Sequence, residues 1–172
     1  MLGVLYHRLE LHNEQTGQFF TPYPVCQTMA KMLVHDAKQL VAEQEFIRAH
    51  EPCVGSGAMV MALAQALREE GINYQQHLHV TAIDIDPLCV HMAYVQCTLL
   101  HIPALICHSD TLRGEVSSVW RTFVHTLGCW DAKLARDDQQ LRPSGPSPER
   151  PTEPATQPTK PRQQIGTQLT LF

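Results

Sequence analysis

Glu51-Pro52-Cys53-Val54-Gly55-Ser56-Gly57 stands between the apolar-edged run Phe46-Ile47-Arg48-Ala49 and the apolar run Ala58 to Leu67. A strand that turns sharply through two glycines into a helix leaves backbone N–H groups uncovered at the helix start. With no Cβ in the way, a ligand approaches closely. The pattern describes a nucleotide-type pocket, and the acid that opens the turn narrows the ligand. A phosphate loop carries a Lys and several backbone donors, whereas Glu51 repels phosphate and accepts a hydrogen bond from an ammonium group. The expected ligand is cationic or zwitterionic. An ordinary strand-to-helix turn uses the same two glycines, so the rest of the chain decides between the readings.

Downstream, Ala58 to Glu70 repeats Met, Val, Leu and Ala at helical spacing and stops at Gly71, which predicts a buried helix with a glycine at its end. Leu78 to Pro87 then reads as a β-branched strand that emerges into Asp84 and Asp86. Two carboxylates at i and i+2 on extended chain share a side, which also suits a metal or an acid/base pair. The reading that fits the preceding glycine turn is a ribose hook: an acid at the carboxyl end of the second strand of an open α/β sheet accepts from both ribose hydroxyls. Asp86-Pro87 suits the start of a helix over Leu88 to Leu100. Ala104 to His108 forms a third short buried strand ending in Ser109-Asp110-Thr111. This order predicts parallel strands with right-handed crossovers, the Rossmann-like α/β class.

Upstream, Thr21-Pro22 reads as an N-cap and first-turn proline, with one helix from about Pro22 to Glu45. Val25, Met29, Met32, Leu33, Ala37, Leu40 and Val41 mark its core face. Phe19 and Phe20 serve equally well as a plug at its base or as a ligand wall. Residues 1–15 give at best a short amphipathic helix.

The 172 residues suit one domain, and 44% hydrophobic content fills a single core. A net charge of −4 supplies no global basic field, so any DNA contact needs a local patch or a partner. Six scattered cysteines without a Cys-x-x-Cys pair read as reduced core residues, and the His77/His79 pair lacks further ligands, so no metal is expected. No apolar run approaches membrane-spanning length, which predicts a soluble, cytoplasmic protein.

Four segments together carry a family resemblance over about Gly17 to Leu112. GQFFTPYPV, EPCVGSGAM, AIDIDPLCVHMA and HSDTL resemble, in order and spacing, the motifs of N-6 adenine-specific DNA methyltransferases of the type I restriction-modification subunit kind. The resemblance implies a Rossmann-like methyltransferase fold and S-adenosylmethionine as cofactor. It assigns cofactor contacts to Phe20, Thr21 and Pro22, to Glu51, Cys53, Gly55 and Gly57, to Asp84 and Ile85, and to Asp110. In it, Glu51 takes the cofactor's amino group, Asp84 the ribose hydroxyls and Asp110 the adenine amino group. DNA and a separate specificity subunit are the implied partners. The family's fourth motif places a Pro-Pro pair and an aromatic at the target base, and no Pro-Pro pair occurs in this chain. The sheet is therefore expected to be incomplete and the chain truncated before that motif. Two functions stay open: an adenine methyltransferase, and a cofactor-binding accessory protein without catalysis. Trp120, Phe123 and Trp130 either stack on a base or cover a sheet edge.

From Arg136 the composition turns to Pro, Gln, Ser, Thr and Arg, which predicts an extended, flexible linker. Apolar residues return only in Gln168-Leu169-Thr170-Leu171-Phe172. A short apolar peptide on such a tether is a docking segment. It resembles the sliding-clamp-binding pentapeptide of bacterial replication proteins, with Gln168, Leu169, Leu171 and Phe172 as the contacts. The expected division is 1–21 for the N-terminal segment, 22–135 for the Rossmann-like domain, 136–167 for the linker and 168–172 for the docking peptide.

Overall fold

The computed structural model describes residues 2–9, 20–140 and 169–170. In chain order its elements are α1 (Leu2–Arg8), α2 (Tyr23–Leu33), α3 (Ala37–Gln44), β1 (Ile47–Glu51), α4 (Ala58–Glu69), α5 (Tyr74–His77), β2 (Leu78–Asp84), α6 (Pro87–Leu99), β3 (Ala104–Asp110), β4 (Glu115–Arg121), α7 (Phe123–Leu127), α8 (Trp130–Gln140) and β5 (Leu169–Thr170). The strands lie in the order β4-β3-β2-β1-β5. β1, β2 and β3 pair in parallel, Ile47 opposite Leu78 and Val80 opposite Ala104.

Alternation decides the faces of the sheet. Ile47, Ala49 and Glu51 of β1, together with Leu78, Val80 and Ala82 of β2, are buried. These apolar positions join Val60, Leu63 and Leu67 of α4 and Val90, Ala93 and Cys97 of α6 in one core. Burial of that apolar surface drives the assembly. At the end of α4 the N–H of Ile72 donates to Leu67 O at 2.9 Å and that of Gly71 to Arg68 O at 3.0 Å, the paired bonds of a Schellman cap.

Arg48 and His79 stand opposite each other in register and point to the other face. There α7 and α8 cover them. Trp130, fully buried, packs edge-on to Phe46 at 5.1 Å and against His79 at 5.2 Å. Arg48 Nη1 holds α8 through Asp137 at 3.0 Å and Asp138 at 2.6 Å. His79 Nε2 lies 2.9 Å from His125 Nδ1, and both rings are buried. Asp131 Oδ1 comes within 3.2 Å of His125 Nε2, but off the line that would complete a hydrogen bond.

Several expectations are corrected. The single helix over 22–45 is two, because the chain bends at Val34–Asp36 to bury both Val34 and Ala37. Its N-cap is Pro22 rather than Thr21, and the first-turn proline is Pro24. The sheet is not wholly parallel: β4 turns back antiparallel to β3, because the 111–114 turn is too short for a crossover. Residues 136–140, assigned to the linker by composition, continue α8, held by the Arg48 pairs. Cys53 and Cys129 are exposed, unlike the other four cysteines. Trp130 is a core plug and stacks on neither a base nor a sheet edge. Among the described residues no helix is long and apolar enough to cross a membrane.

Two outcomes follow for stability. Trp130→Ala should cost about 3–5 kcal/mol in denaturant unfolding, the range for removing a buried aromatic. Burial, then the neighbouring His125, pushes His79 down to about 3. An imidazole held neutral in the fold contributes stability above about pH 6.5 that is lost as pH falls toward 3. His79→Leu should therefore lose less melting temperature than the parent between about pH 7.5 and about pH 5. Parallel losses would contradict this account.

Candidate cofactor site at the carboxyl ends of β1 and β2

The site residues reach one place because β1 and β2 are parallel neighbours that end together. Beyond Glu51 the chain turns through Pro52 to Gly57 and enters α4. Gly55 has φ +52° and Gly57, the α4 N-cap, φ +90°, a left-handed region that side chains avoid. A Cβ on Gly57 would meet the Ala93 backbone at 3.4 Å, an ordinary contact distance, so the left-handed backbone and not a lack of space favours glycine there. A Cβ on Gly55 would lie 3.1 Å from the Phe20 ring. Phe20 thus roofs the loop.

Asp84 ties the two strand exits together. Its Oδ2 accepts from Gly55 N at 2.8 Å and its Oδ1 from Asp86 N at 2.9 Å. Each oxygen keeps acceptor capacity beyond that one bond. Val54 N adds a second link, donating to Ile83 O at 2.8 Å. Asp86 does what the sequence asked, capping α6 by accepting from Leu88 N at 2.9 Å.

Glu51 is 4% exposed, and its Oε1 accepts from Cys53 N at 3.2 Å. Among the described residues no cation pairs with it. Burial, opposed by the Cys53 N–H and helped by nearby Asp84, pushes its carboxyl up to about 8. An acid kept from water with no counter-ion is a receptor for a positive group. Cys53 is raised from the ordinary thiol value, by burial first and then by Asp84 and Glu51, so it stays a thiol at neutral pH.

The Asp110 carboxylate is engaged within its own turn. Its Oδ1 accepts from Leu112 N at 2.9 Å and Arg113 N at 3.2 Å, while Oδ2 lies 3.4 Å from Arg113 Nε. Those bonds fold the β3–β4 turn. Thr111 pins that turn to the glycine loop by donating to Pro52 O at 2.7 Å. Ile85 and Leu112 both stand exposed just past the ends of β2 and β3. Thr21 and Pro22 are exposed before α2. Phe19 lies outside the described residues.

Gln96 escaped the sequence reading. Buried in α6, it donates to Ser56 O and accepts from Leu2 N at 3.0 Å, so it links α6, the glycine loop and α1. A lone amide inside the apolar run of α6 was the available signal. Tyr6 of α1 meets Phe20 at 5.9 Å, and α1 therefore packs beside the loop.

The residues fit a zwitterionic nucleoside: a buried unpaired acid, an aspartate with acceptor capacity to spare and a loop whose two glycines could not be replaced without strain. The model of the N-6 DNA Methylase family matches residues 4–135, from α1 into α8. The chain belongs to the N-6 DNA methylase family. Among curated proteins none matches it. The span of the N-6 DNA methylase match contains both strand exits and the glycine loop. Among the described residues no cluster of three or more His, Cys, Asp or Glu is placed to hold a metal ion.

Glu51 gives a prediction of defined sign. Its folded value lies above the usual 4.5, so the neutral form's stability is full below about pH 4.5 and lost as pH rises through about 8. Glu51→Gln should melt with the parent near about pH 4.5 and above it near about pH 9. Coincident melting at both would show that Glu51 carries no burial cost. Gly57→Val should destabilise by about 2 kcal/mol from left-handed strain.

Proposed function

We propose that this N-6 DNA methylase family member binds S-adenosylmethionine at the paired exits of β1 and β2 and serves N-6 methylation of adenine in DNA. The observation that carries the reading is the Asp84–Gly55 bond at 2.8 Å beside the buried Glu51, which sets two acids of different character on one loop. Glu51 would take the cofactor's ammonium group and Asp84 its ribose hydroxyls. Ile85 and Asp110 would border the adenine, the loop at Cys53, Gly55 and Gly57, its N–H groups donated to Glu51, Asp84 and Val54, would lie against the cofactor, and Phe20, Thr21 and Pro22 would close the methionine end. When bound, S-adenosylmethionine supplies a methyl group made electrophilic by its sulfonium. The chain's own work is placement and exclusion of water. DNA is the substrate this family implies, with target choice left to a specificity subunit.

The second reading, an accessory unit that holds the cofactor without transferring methyl, draws on two observations. The chain has no Pro-Pro pair, and after Asp110 it folds straight into the β3–β4 hairpin rather than into an acceptor loop. In either reading the Gln168–Phe172 peptide would dock on a bacterial sliding clamp, as its Gln168, Leu169, Leu171 and Phe172 pattern suggests.

Calorimetric titration with S-adenosylmethionine should give heat for the parent and none for Gly57→Trp or Asp84→Ala. At neutral pH the Glu51 carboxyl is largely protonated, so arrival of an ammonium should release close to one proton. Titration in buffers of different ionisation enthalpy reads that release, and Glu51→Gln should abolish it. Heat in both pocket variants would refute the site. Tritiated methyl incorporation into adenine-rich DNA separates the two readings, since binding without incorporation selects the accessory one. Removing Leu171 and Phe172 should abolish clamp binding; equal binding by both forms would refute docking.

A further inference from the structure

The outer edge of β1 is paired over only part of its length. Its inner edge pairs with β2 over five residues, Ile47 to Glu51, whereas its outer edge pairs with β5 over two, Ala49 opposite Leu169 and His50 opposite Thr170. Unpaired edges are normally blunted by proline, lysine, a bulge or a covering element. The β1 sequence Ile47-Arg48-Ala49-His50-Glu51 has no proline or lysine, and its one cation is turned aside onto Asp137 and Asp138. In an open α/β sheet this is also the position where strand order reverses and the ligand crevice forms. The edge is a template for a parallel strand.

The segment that occupies it is on the same chain. α8 ends at Gln140 after its Asp137 and Asp138 have clamped Arg48 near the start of β1. Residues 141–168 join the end of α8 to β5 on one chain, so pairing with β1 is an intramolecular event. A two-residue ladder holds few hydrogen bonds, each worth little once the water bonds it replaces are counted, so it exchanges readily.

We propose that the outer edge of β1 is a strand-docking surface for the chain's own C-terminal peptide, and that a protein binding that peptide must first strip it from β1. A pocket that encloses the peptide needs access to both of its edges, and β1 covers one of them, so the two bound states exclude each other. The exclusion rests on the clamp-docking reading above; the surface itself does not.

The test is residue-resolved hydrogen exchange on the full chain. In the parent, an outward-facing amide within 48–51 should be protected. In the double variant Leu169→Pro/Thr170→Pro, which removes both tail N–H donors, it should exchange at least tenfold faster while Val80 and Ile106 are unchanged. Equal rates would overturn the surface. Protection that rises with protein concentration would overturn docking within one chain in favour of a second copy's tail. Adding bacterial sliding clamp to the parent should bring β1 exchange to the rate of the double variant. Clamp binding that leaves β1 protected would overturn the exclusion alone. Absence of clamp binding would refute the clamp reading and the exclusion with it, and the variant comparison would still decide the surface.

Discussion

One backbone N–H, that of Gly55, donates 2.8 Å to the carboxylate of Asp84, and the site depends on it. The bond joins the exit of β1 to the exit of β2 across the crevice between them. It holds the glycine loop open by occupying its N–H with a side chain from the neighbouring strand. It also fixes the orientation of Asp84, whose two oxygens keep acceptor capacity to spare. A charged acceptor strengthens such a bond. The bond exists because parallel pairing brings Glu51 level with Ala82, two residues before Asp84.

The two acids of the site are kept distinct by their surroundings. Asp84 accepts from two backbone donors, while Glu51 is buried beneath the loop with one long backbone donor and, among the described residues, no cation. Burial therefore raises Glu51 to about 8. An anionic ligand gains nothing from this arrangement, and a cation gains a partner that water does not screen. The opposite end of the sheet carries another buried polar group, the His79–His125 pair, at the starts of the strands and away from the crevice. It belongs to the packing of α7 and α8 and not to the ligand site.

Much of the fold was legible because it is written in local chemistry. Glycines at 55 and 57, the Asp86-Pro87 start of α6 and Gly71 at the end of α4 each fix a boundary on their own. The parallel order of three strands followed from them. The break between α2 and α3 was not legible, since His35 and Asp36 carry no strong stop signal and the bend answers to the burial of Val34 and Ala37. The antiparallel β4 was missed for a related reason: its Val116, Val119 and Trp120 are exposed, so the strand has no buried stripe to mark it. Within the site, the contact of Asp84 with the Gly55 loop was foreseeable from the resemblance. The turn-forming bonds of Asp110, the Phe20 roof and the Gln96 bridge depend on distances that spacing does not encode. Gln168, Leu171 and Phe172 lie outside the described residues, and of the docking peptide only the backbone pairing of Leu169 and Thr170 is on view.

α4 has apolar side chains buried nearly all round, from Val60 to Leu67, pressed between the sheet and α2, with Tyr23 of α2 donating to Gln65 at 2.7 Å. Such a helix has no room to slide or tilt. The fan of amides at its start is thus set before any ligand arrives, and little ordering entropy is left to lose there. Above it, Gly3 of α1 lies so close to Ser56 that a Cβ would collide with that side chain, and Gln96 holds the Leu2 N–H, so the helix that covers the loop is seated as firmly as the one beneath it.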